Sequence, residues 1–333
     1  IGDRVVEAQL HAVARRNRLH PLMSQRLPGA GRMPAWAPVL DQLERAYQAN
    51  LLQACRYLAA GTRLAARFEQ AGIPCLALRG PFFGLTLYDD PGARFFTDLD
   101  LLVPVAQRRK ALEVARAAGY LLPARSLPLR FFERNHLHWR LENPVEGVVC
   151  ELHWALDHAY KPFAVDYGSI FAKREARRVG GYEWHEPGPH HLLIASAMHA
   201  SKHCRVDRAF VAAPDFLAQM LDAGWMIHWL DILAIVRRHG DRLDWSAVQR
   251  DACAWAVEEP VATALLGADR LQPGLVPAAV LADWNSLPLP RHSVAGLLEI
   301  TVPAGFERLA AAGGFRPECW RDAWAYIFPR DPA

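Results

Sequence analysis

Two aspartates separated by one leucine stand at the start of an apolar run. Asp98 and Asp100 flank Leu99 and lead into 101–103, Leu-Leu-Val, which predicts a buried strand. Side chains alternate along a strand, so both carboxylates would point to one face. Buried carboxylates this close repel each other unless a cation lies between them, and Mg²⁺ or Mn²⁺ takes such oxygen ligands. An isolated Asp-x-Asp is also common as an exposed strand start, so the pair alone leaves both interpretations open.

A third carboxylate strengthens the metal interpretation. The segment VVCELHW (148–154) predicts a second strand that places Glu151 and His153 on one face. Three converging carboxylates on adjacent strands suit two metal ions about 3.5–4 Å apart that support phosphoryl transfer. Gly80 lies between a short apolar strand and a predicted helix, where the backbone could approach a phosphate closely at a helix N-terminus.

Helical sections surround these elements. Apolar spacing predicts N-terminal helices within 3–26 and 38–71, the last ending at Gln70. Two further helices are predicted around 189–204 and 225–240.

The predicted sheet lies between these helical sections. Its elements are listed in chain order: a strand ending at Gly80, a helix over 82–88, a strand over 98–105, a helix over 107–118, a hairpin over 136–156 and a loop over 177–191. The sequence thus predicts an α+β fold with a small mixed β-sheet core (72–185), an N-terminal helical section (1–71) and a C-terminal helical domain (186–333).

Composition narrows the class of partner. The 333 residues carry 38 basic and 35 acidic side chains, a net charge of +3 that argues against a nucleic-acid-coating surface. The six cysteines are scattered without a CxxC pair, which indicates reduced thiols. No apolar run reaches the roughly 18 residues of a membrane span and no export signal is visible, so we expect a cytoplasmic protein with no membrane partner.

The order of motifs resembles a known family. LALRGPFFGLTLYDDPGARFFTDLDLLVP (76–104) is similar to the signature of the uncharacterised nucleotidyltransferases of the DNA polymerase β-like superfamily. The resemblance continues through ELHWAL (151–156), LLIASAMHASKH (192–203) and WLDILAIVRRHGDRLDW (229–245) and covers most of residues 1–250.

The resemblance implies roles by position. Asp98, Asp100 and Glu151 would be the catalytic carboxylates and would bind two ions of Mg²⁺ or Mn²⁺, with Glu151 also orienting an acceptor hydroxyl. Gly80 would begin the phosphate-binding turn, and Arg94 would reach the triphosphate or form a salt bridge within its turn.

Two positions depart from the family pattern. Arg79 stands where the family usually has Lys, which keeps a charge for nucleotide binding but changes its geometry. Pro81 follows Gly80 and lacks the amide that could donate to a phosphate, although proline suits the first position of a helix.

Several other residues are candidates on helices or on the hairpin. Lys202 could reach the triphosphate or be solvated. His153 and His138 could bind substrate or support Glu151. Whether His138 lies on the same face as Glu151 depends on the strand register. His199 and His203 have a spacing that permits a shared metal, but no third ligand follows. His199 is instead expected to pack near the site, with a hydrogen bond to Asp231.

The expected activity is metal-dependent transfer of NMP from an NTP, the co-substrate, to a hydroxyl or phosphate of a small molecule, peptide or protein, with release of pyrophosphate. One alternative is a non-catalytic nucleotide-binding or scaffold protein with the same fold. Another is a toxin-type nucleotidyltransferase that acts on tRNA, which the modest positive charge disfavours.

Overall fold

The computed structural model describes residues 11–26, 37–124, 126, 128–204, 207–224 and 226–287. The predictions that fall on 1–10 and 288–333, including Cys319 and most of the Pro-rich C-terminal segment, lie outside the described residues.

The N-terminal section is helical, as predicted. Residues 11–16 form a helix, α1 spans His20–Arg26, and α2 spans Ala37–Gln70, 34 residues that end at the predicted residue. One face of α2 is buried against the sheet, because its apolar residues recur at helical spacing.

Four strands form the central sheet in the order β1-β2-β4-β3: β1 Leu76–Ala77, β2 Leu99–Leu102, β3 His138–Asn143 and β4 Val148–His153. β2 and β4 are parallel, whereas the other two pairs are antiparallel. The connections contain α3 Pro81–Thr86, a short 3₁₀ turn Val105–Gln107, α4 Arg108–Ala117 and α5 Leu129–Asn135. The hairpin, the helix after Gly80 and the helix near 107–118 are therefore confirmed, with shorter bounds.

β2 is shorter than the predicted 98–105. It begins at Leu99 and ends before Pro104, which has no amide hydrogen for a ladder bond. Asp98 is therefore the residue before the strand and not part of it.

The two faces of the sheet differ in chemistry. Leu101, Leu152 and Trp139 are aligned across three strands and pack in the core that includes α2 and α4. The opposite face carries Leu102 in the core of the C-terminal helices, and Asp100 beside it.

The predicted loop over 177–191 is wrong for most of its length, because strands occupy 177–179 and 182–186 and a helix begins at Pro189. After α6 Tyr167–Ala172, β5 Glu175–Val179 and β6 Tyr182–Glu186 form an antiparallel two-stranded sheet. Gly180 and Gly181 have φ of 57° and 83° and form its two-residue turn, a conformation that favours glycine. The strands were missed because they are rich in charged residues, which form cross-strand pairs such as Arg178 with Glu183.

The C-terminal section is helical: α7 Pro189–Cys204, α8 Arg208–Ala212, α9 Phe216–Ala223, α10 Met226–His239, α11 Trp245–Ala254, α12 Glu258–Leu271 and α13 Ala278–Ser286. The fold is thus α+β, with a small mixed sheet between helical sections, as predicted from the sequence. Within the described part of the chain, no helix combines the length and apolar character that crossing a membrane requires.

The packing of α10 against α12 depends on one glycine. A Cβ added to Gly267 would overlap the ring of Trp229, which is fully buried. We expect Gly267→Ala to lower the free energy of unfolding by about 1–3 kcal/mol, because overpacking a core forces side chains and backbone to shift. Denaturant unfolding measures the change.

Gly240→Ala is the matched control, because a Cβ there meets no atom within 4 Å. Its stability should stay within about 0.5 kcal/mol of the parent protein. Equal stability of the two variants would contradict this account of the interface.

Candidate active site

The parallel pairing of β2 with β4 brings two of the predicted carboxylates together. Asp100 is directly opposite Glu151, and Glu151 is directly opposite Arg140 on β3, so the three side chains share a face. Two residues further along β4, His153 is directly opposite His138 of β3. The register therefore places both histidines on the carboxylate face.

Asp100 is almost fully buried and lies between two cationic groups. His153 Nε2 lies 2.8 Å from its Oδ1, and Arg79 Nε lies 3.3 Å from its Oδ2. Burial acts to raise the pKa of Asp100, but Arg79 and the hydrogen bond with His153 outweigh it and hold that pKa well below its usual range. Asp100 is consequently ionised.

Asp98 lies beside this pair without a comparable cationic partner. Its Oδ2 accepts a hydrogen bond of 3.0 Å from the Thr97 hydroxyl. Burial, together with the negative charges of Glu151 and Asp100, raises the pKa of Asp98 to about 7. Burial and the two neighbouring carboxylates thus disfavour the ionised form of Asp98, and a cation bound beside it would favour that form.

Helix α2 fixes the loop that carries Asp98. The Asn50 side-chain amide donates to the carbonyls of Gly92 and Arg94, at 2.8 and 2.9 Å. One and two turns further along, Gln53 donates to Phe96 O, and Tyr57 donates to Thr97 O while accepting from an amide of β4. These bonds hold the extended loop before β2, so Asp98 has a defined place without belonging to a strand.

Two histidines contact Glu151 on the same face. His138 Nδ1 and His153 Nε2 each lie 3.3 Å from Glu151 Oε2. Burial acts to lower the pKa of His153, but its hydrogen bonds to Asp100 and Glu151 raise it overall. Burial and the neighbouring His153 and Lys202 lower the pKa of His138 well below its usual value, so His138 is neutral.

Lys202 approaches the carboxylates from α7. Its ammonium makes no hydrogen bond or ion pair with the described residues, yet the side chain is partly buried. Burial lowers the pKa of Lys202, while the carboxylates of Asp157, Glu151 and Asp100 oppose that shift. Asp157 itself is paired with Lys161 at 2.8 Å. Among the described residues, Lys202 therefore has no ion-pair partner, although it lies beside the acidic face.

Gly80 is required by a close approach of two backbone segments. Its φ is 72°, and a Cβ at this position would lie 2.7 Å from the carbonyl oxygen of Asp98. Gly80 is also the N-cap of α3, and Pro81 occupies the first turn as expected. Packing against Asp98 explains the glycine without a ligand, and its role toward phosphate stays a prediction.

Arg94 forms a buried ion pair with Asp231 on α10. Its Nε and Nη2 donate to the two carboxylate oxygens at 2.8 and 2.6 Å, and the Tyr88 hydroxyl donates to the same carboxylate at 2.9 Å. Of the two sequence interpretations, these contacts favour the salt bridge, although its partner is 137 residues away rather than in the turn. Asp231 bonds Arg94 and Tyr88, so the expected bond from His199 is absent among the described contacts.

His199 lies in a cluster with His203 and with His228 of α10, whose ring centroids are 4.4–5.1 Å apart. Burial and neighbouring cations, Arg79 among them, lower the pKa of His199 and His228 well below the usual value. Across the described residues, two other groups have ligand atoms within 4.8 Å of one another: His138 with Glu151 and His153, and His190 with His191 and Asp251. Neither contains His199 or His203.

Two side-chain interactions at this site were not predicted from the sequence. The contact of Arg79 with Asp100 depends on β1 pairing beside β2, and the pattern of a two-residue strand carries little register information. The position of Asp157 near Lys202 depends on how α7 packs over the sheet. No residue spacing in the sequence indicates either contact, whereas the alternation of Glu151 and His153 did predict their shared face.

The structure thus presents an acidic sheet face on a parallel strand pair, flanked by helices. The chain belongs to the family described as uncharacterised nucleotidyltransferase, whose model matches residues 5–273. A comparison with curated proteins gives no match.

Solved structures give low-identity alignments. An antigenic nucleotidyltransferase-like protein from Paracoccidioides brasiliensis aligns at 14% identity and a TM-score of 0.38, over 68% of this chain and 92% of that one. The antibiotic-resistance factor ANT(2'')-Ia in solution aligns at 12% identity and a TM-score of 0.31, over 59% and 97% of the two chains. Its crystal structure with adenylyl-2''-tobramycin gives the same identity and TM-score, over 56% and 98%.

Asp98 provides a test of the uncompensated charge. Because the pKa of Asp98 is raised on folding, its stabilising contribution is present at low pH and is lost as pH rises through about 7. In metal-free protein, we expect the stability of Asp98→Asn relative to the parent to increase by about 1–3 kcal/mol between pH 5 and pH 8. Denaturant unfolding with a chelator present measures it.

Asp41→Asn, at an exposed position on α2, is the control and should show no such trend. A stability difference for Asp98→Asn that is constant or shrinks with pH would contradict the site's charge balance.

The ion pair of Arg94 with Asp231 allows a test of whether Arg94 stabilises the fold. Arg94→Gln leaves Asp231 buried and without its cation, so we expect a loss of about 3–5 kcal/mol in unfolding free energy. Adding Asp231→Asn should recover part of that loss in a double-mutant cycle. Arg63→Gln breaks an exposed pair with Glu146 and should cost at most about 1 kcal/mol. Unchanged stability of Arg94→Gln with weakened NTP binding would instead make Arg94 a phosphate ligand.

Proposed function

We propose that this protein is a metal-dependent nucleotidyltransferase that transfers NMP from an NTP to a hydroxyl or phosphate of a small molecule, peptide or protein. Pyrophosphate is the leaving group. The observation that carries this proposal is the position of Asp100 and Glu151 on one sheet face, with Asp98 on the adjoining loop close to both, in a chain that belongs to a nucleotidyltransferase family.

The donor set fits divalent cations. Burial, and after it the negative charges of Glu151 and Asp100, raise the pKa of Asp98, and a bound cation would favour its ionised form. Asp98, Asp100 and Glu151 would hold two ions of Mg²⁺ or Mn²⁺. When bound, such ions neutralise charge on the transferred phosphoryl group and on the leaving pyrophosphate.

Three further residues provide groups suited to the triphosphate and to the acceptor. Lys202 supplies an ammonium without a committed partner at the edge of the acidic face, suited to a triphosphate oxygen. Arg79 is buried and contacts Asp100, so it orients that carboxylate and contributes positive charge behind the phosphates. Glu151 is partly exposed beside Asp100 and is placed to orient an acceptor hydroxyl and accept its proton.

Catalysis in this arrangement is mostly positioning and charge neutralisation. The carboxylates project from paired strands, and α2 fixes the loop before them, so the acidic face needs little reorganisation when substrate binds. Arg94 belongs to the support of this loop, because it ties the segment before Asp98 to α10.

The experiment incubates the protein with each α-labelled NTP, Mg²⁺ or Mn²⁺ and a cell extract that supplies acceptors. We expect label transfer with release of pyrophosphate, abolished by Asp98→Asn or Asp100→Asn.

Lys202→Met should raise the Kd for NTP, measured by calorimetry, by about tenfold to hundredfold, because a charge-assisted contact is lost. Lys110→Met, at an exposed position on α4, is the control.

The outcomes separate the alternatives. Absence of binding for every NTP with metal would overturn the enzyme proposal and favour a scaffold protein with the same fold. Label recovered on tRNA rather than on a small molecule, peptide or protein would overturn the acceptor class and keep the transfer reaction.

A further inference from the structure

Two imidazole nitrogens lie among the carboxylates of the site. His138 Nδ1 and His153 Nε2 are both 3.3 Å from the same oxygen, Glu151 Oε2. His153 Nε2 is also 2.8 Å from Asp100 Oδ1. One ligand atom from each of His138, Glu151 and His153 lies within 4.8 Å of the other two.

These spacings match those of ligands around one ion. Metal–ligand distances of about 2.0–2.2 Å place neighbouring ligand atoms of one ion roughly 3 Å apart. The His138 nitrogen has no hydrogen-bond partner among the described residues, although Glu151 Oε2 is its near neighbour. A nitrogen and an oxygen that lie side by side without a hydrogen bond are arranged as two ligands are.

The sheet holds this group rigidly. His138 and His153 are directly paired on β3 and β4, and Glu151 precedes His153 by two residues on the same face. The His153 side chain is 1% exposed, whereas those of His138 and Glu151 are 12% and 22% exposed. The group is thus closed on the protein side and open toward the site where the NTP would bind.

Imidazole ligands change which ion is preferred. Mg²⁺ selects oxygen ligands and keeps much of its water, whereas imidazole nitrogen favours first-row transition metals. A group of two nitrogens and one carboxylate therefore differs in selectivity from the three-carboxylate set of the proposed function.

We propose that His138 and His153, together with Glu151, ligate one of the two divalent ions directly, and that this ion is a transition metal such as Mn²⁺ rather than Mg²⁺. The proposal rests on the proposed function for the presence of a metal at this face. It assigns the histidines as ligands instead of substrate-binding or supporting residues.

Pulsed EPR of the full chain loaded with Mn²⁺ tests the assignment without an activity readout. We expect electron spin-echo modulation from directly coordinated ¹⁴N. The modulation should disappear in a His138→Gln, His153→Gln double variant and should weaken in His138→Gln alone. His138 lies on the more exposed strand, so its variant keeps the test valid if His153→Gln is unstable.

Calorimetry gives the second measurement. Mn²⁺ should bind more tightly than Mg²⁺, and His138→Gln should weaken Mn²⁺ binding by about tenfold while changing Mg²⁺ binding less. His185→Gln is the matched control, because His185 is on β6 and is paired with Glu69 at 2.8 Å, away from the acidic face. It should leave the modulation and both affinities unchanged.

Three outcomes are decisive. Coordinated nitrogen that depends on His138 and His153 supports the proposal. Bound Mn²⁺ with oxygen ligation only, and no effect of either histidine, overturns it while leaving the proposed function standing. No bound metal in the parent protein overturns both.

Discussion

The structure of the site depends on the cost of placing carboxylates against an apolar sheet. Asp100 is nearly buried, and its ionised form persists because Arg79 and His153 lie against its two oxygens. These partners come from different elements, one after β1 and one at the end of β4. The ionised state of Asp100 therefore depends on the strand order of the sheet, which brings these two partners to it. Burial and the neighbouring carboxylates Glu151 and Asp100 raise the pKa of Asp98, so a cation beside it would favour its ionised form.

The surrounding elements serve mainly to hold one loop and one strand end. Asn50, Gln53 and Tyr57, on successive turns of α2, bond the backbone that leads to Asp98. From the other side, the buried pair of Arg94 with Asp231 ties the same segment to α10. Because both supports are buried and specific, the loop keeps a fixed course despite its lack of regular structure. A cation that binds between the carboxylates would meet a face that is already arranged.

Much of this arrangement could be predicted from local pattern. The end of α2 at Gln70, the helix Pro189–Cys204 and the hairpin around Glu151 follow from periodicity and turn residues. The shared face of Glu151 and His153 follows from alternation alone. The β5–β6 hairpin did not follow, because its strands carry charged residues on both faces, some in cross-strand ion pairs, so no alternation of apolar and polar residues marks them.

The sequence by itself determined the family, the α+β class and the three carboxylates, since these depend on residue types at short, fixed spacings. Only the tertiary structure decided which side chains lie against these carboxylates and against Asp231. Arg79 is aligned with Asp100, Arg94 with Asp231, and His138 with Glu151 by strand register and helix packing, over separations that local pattern does not encode. The physical reason is that a buried charge selects its partner by distance in space, and that distance is set when the whole sheet and its helices are in place.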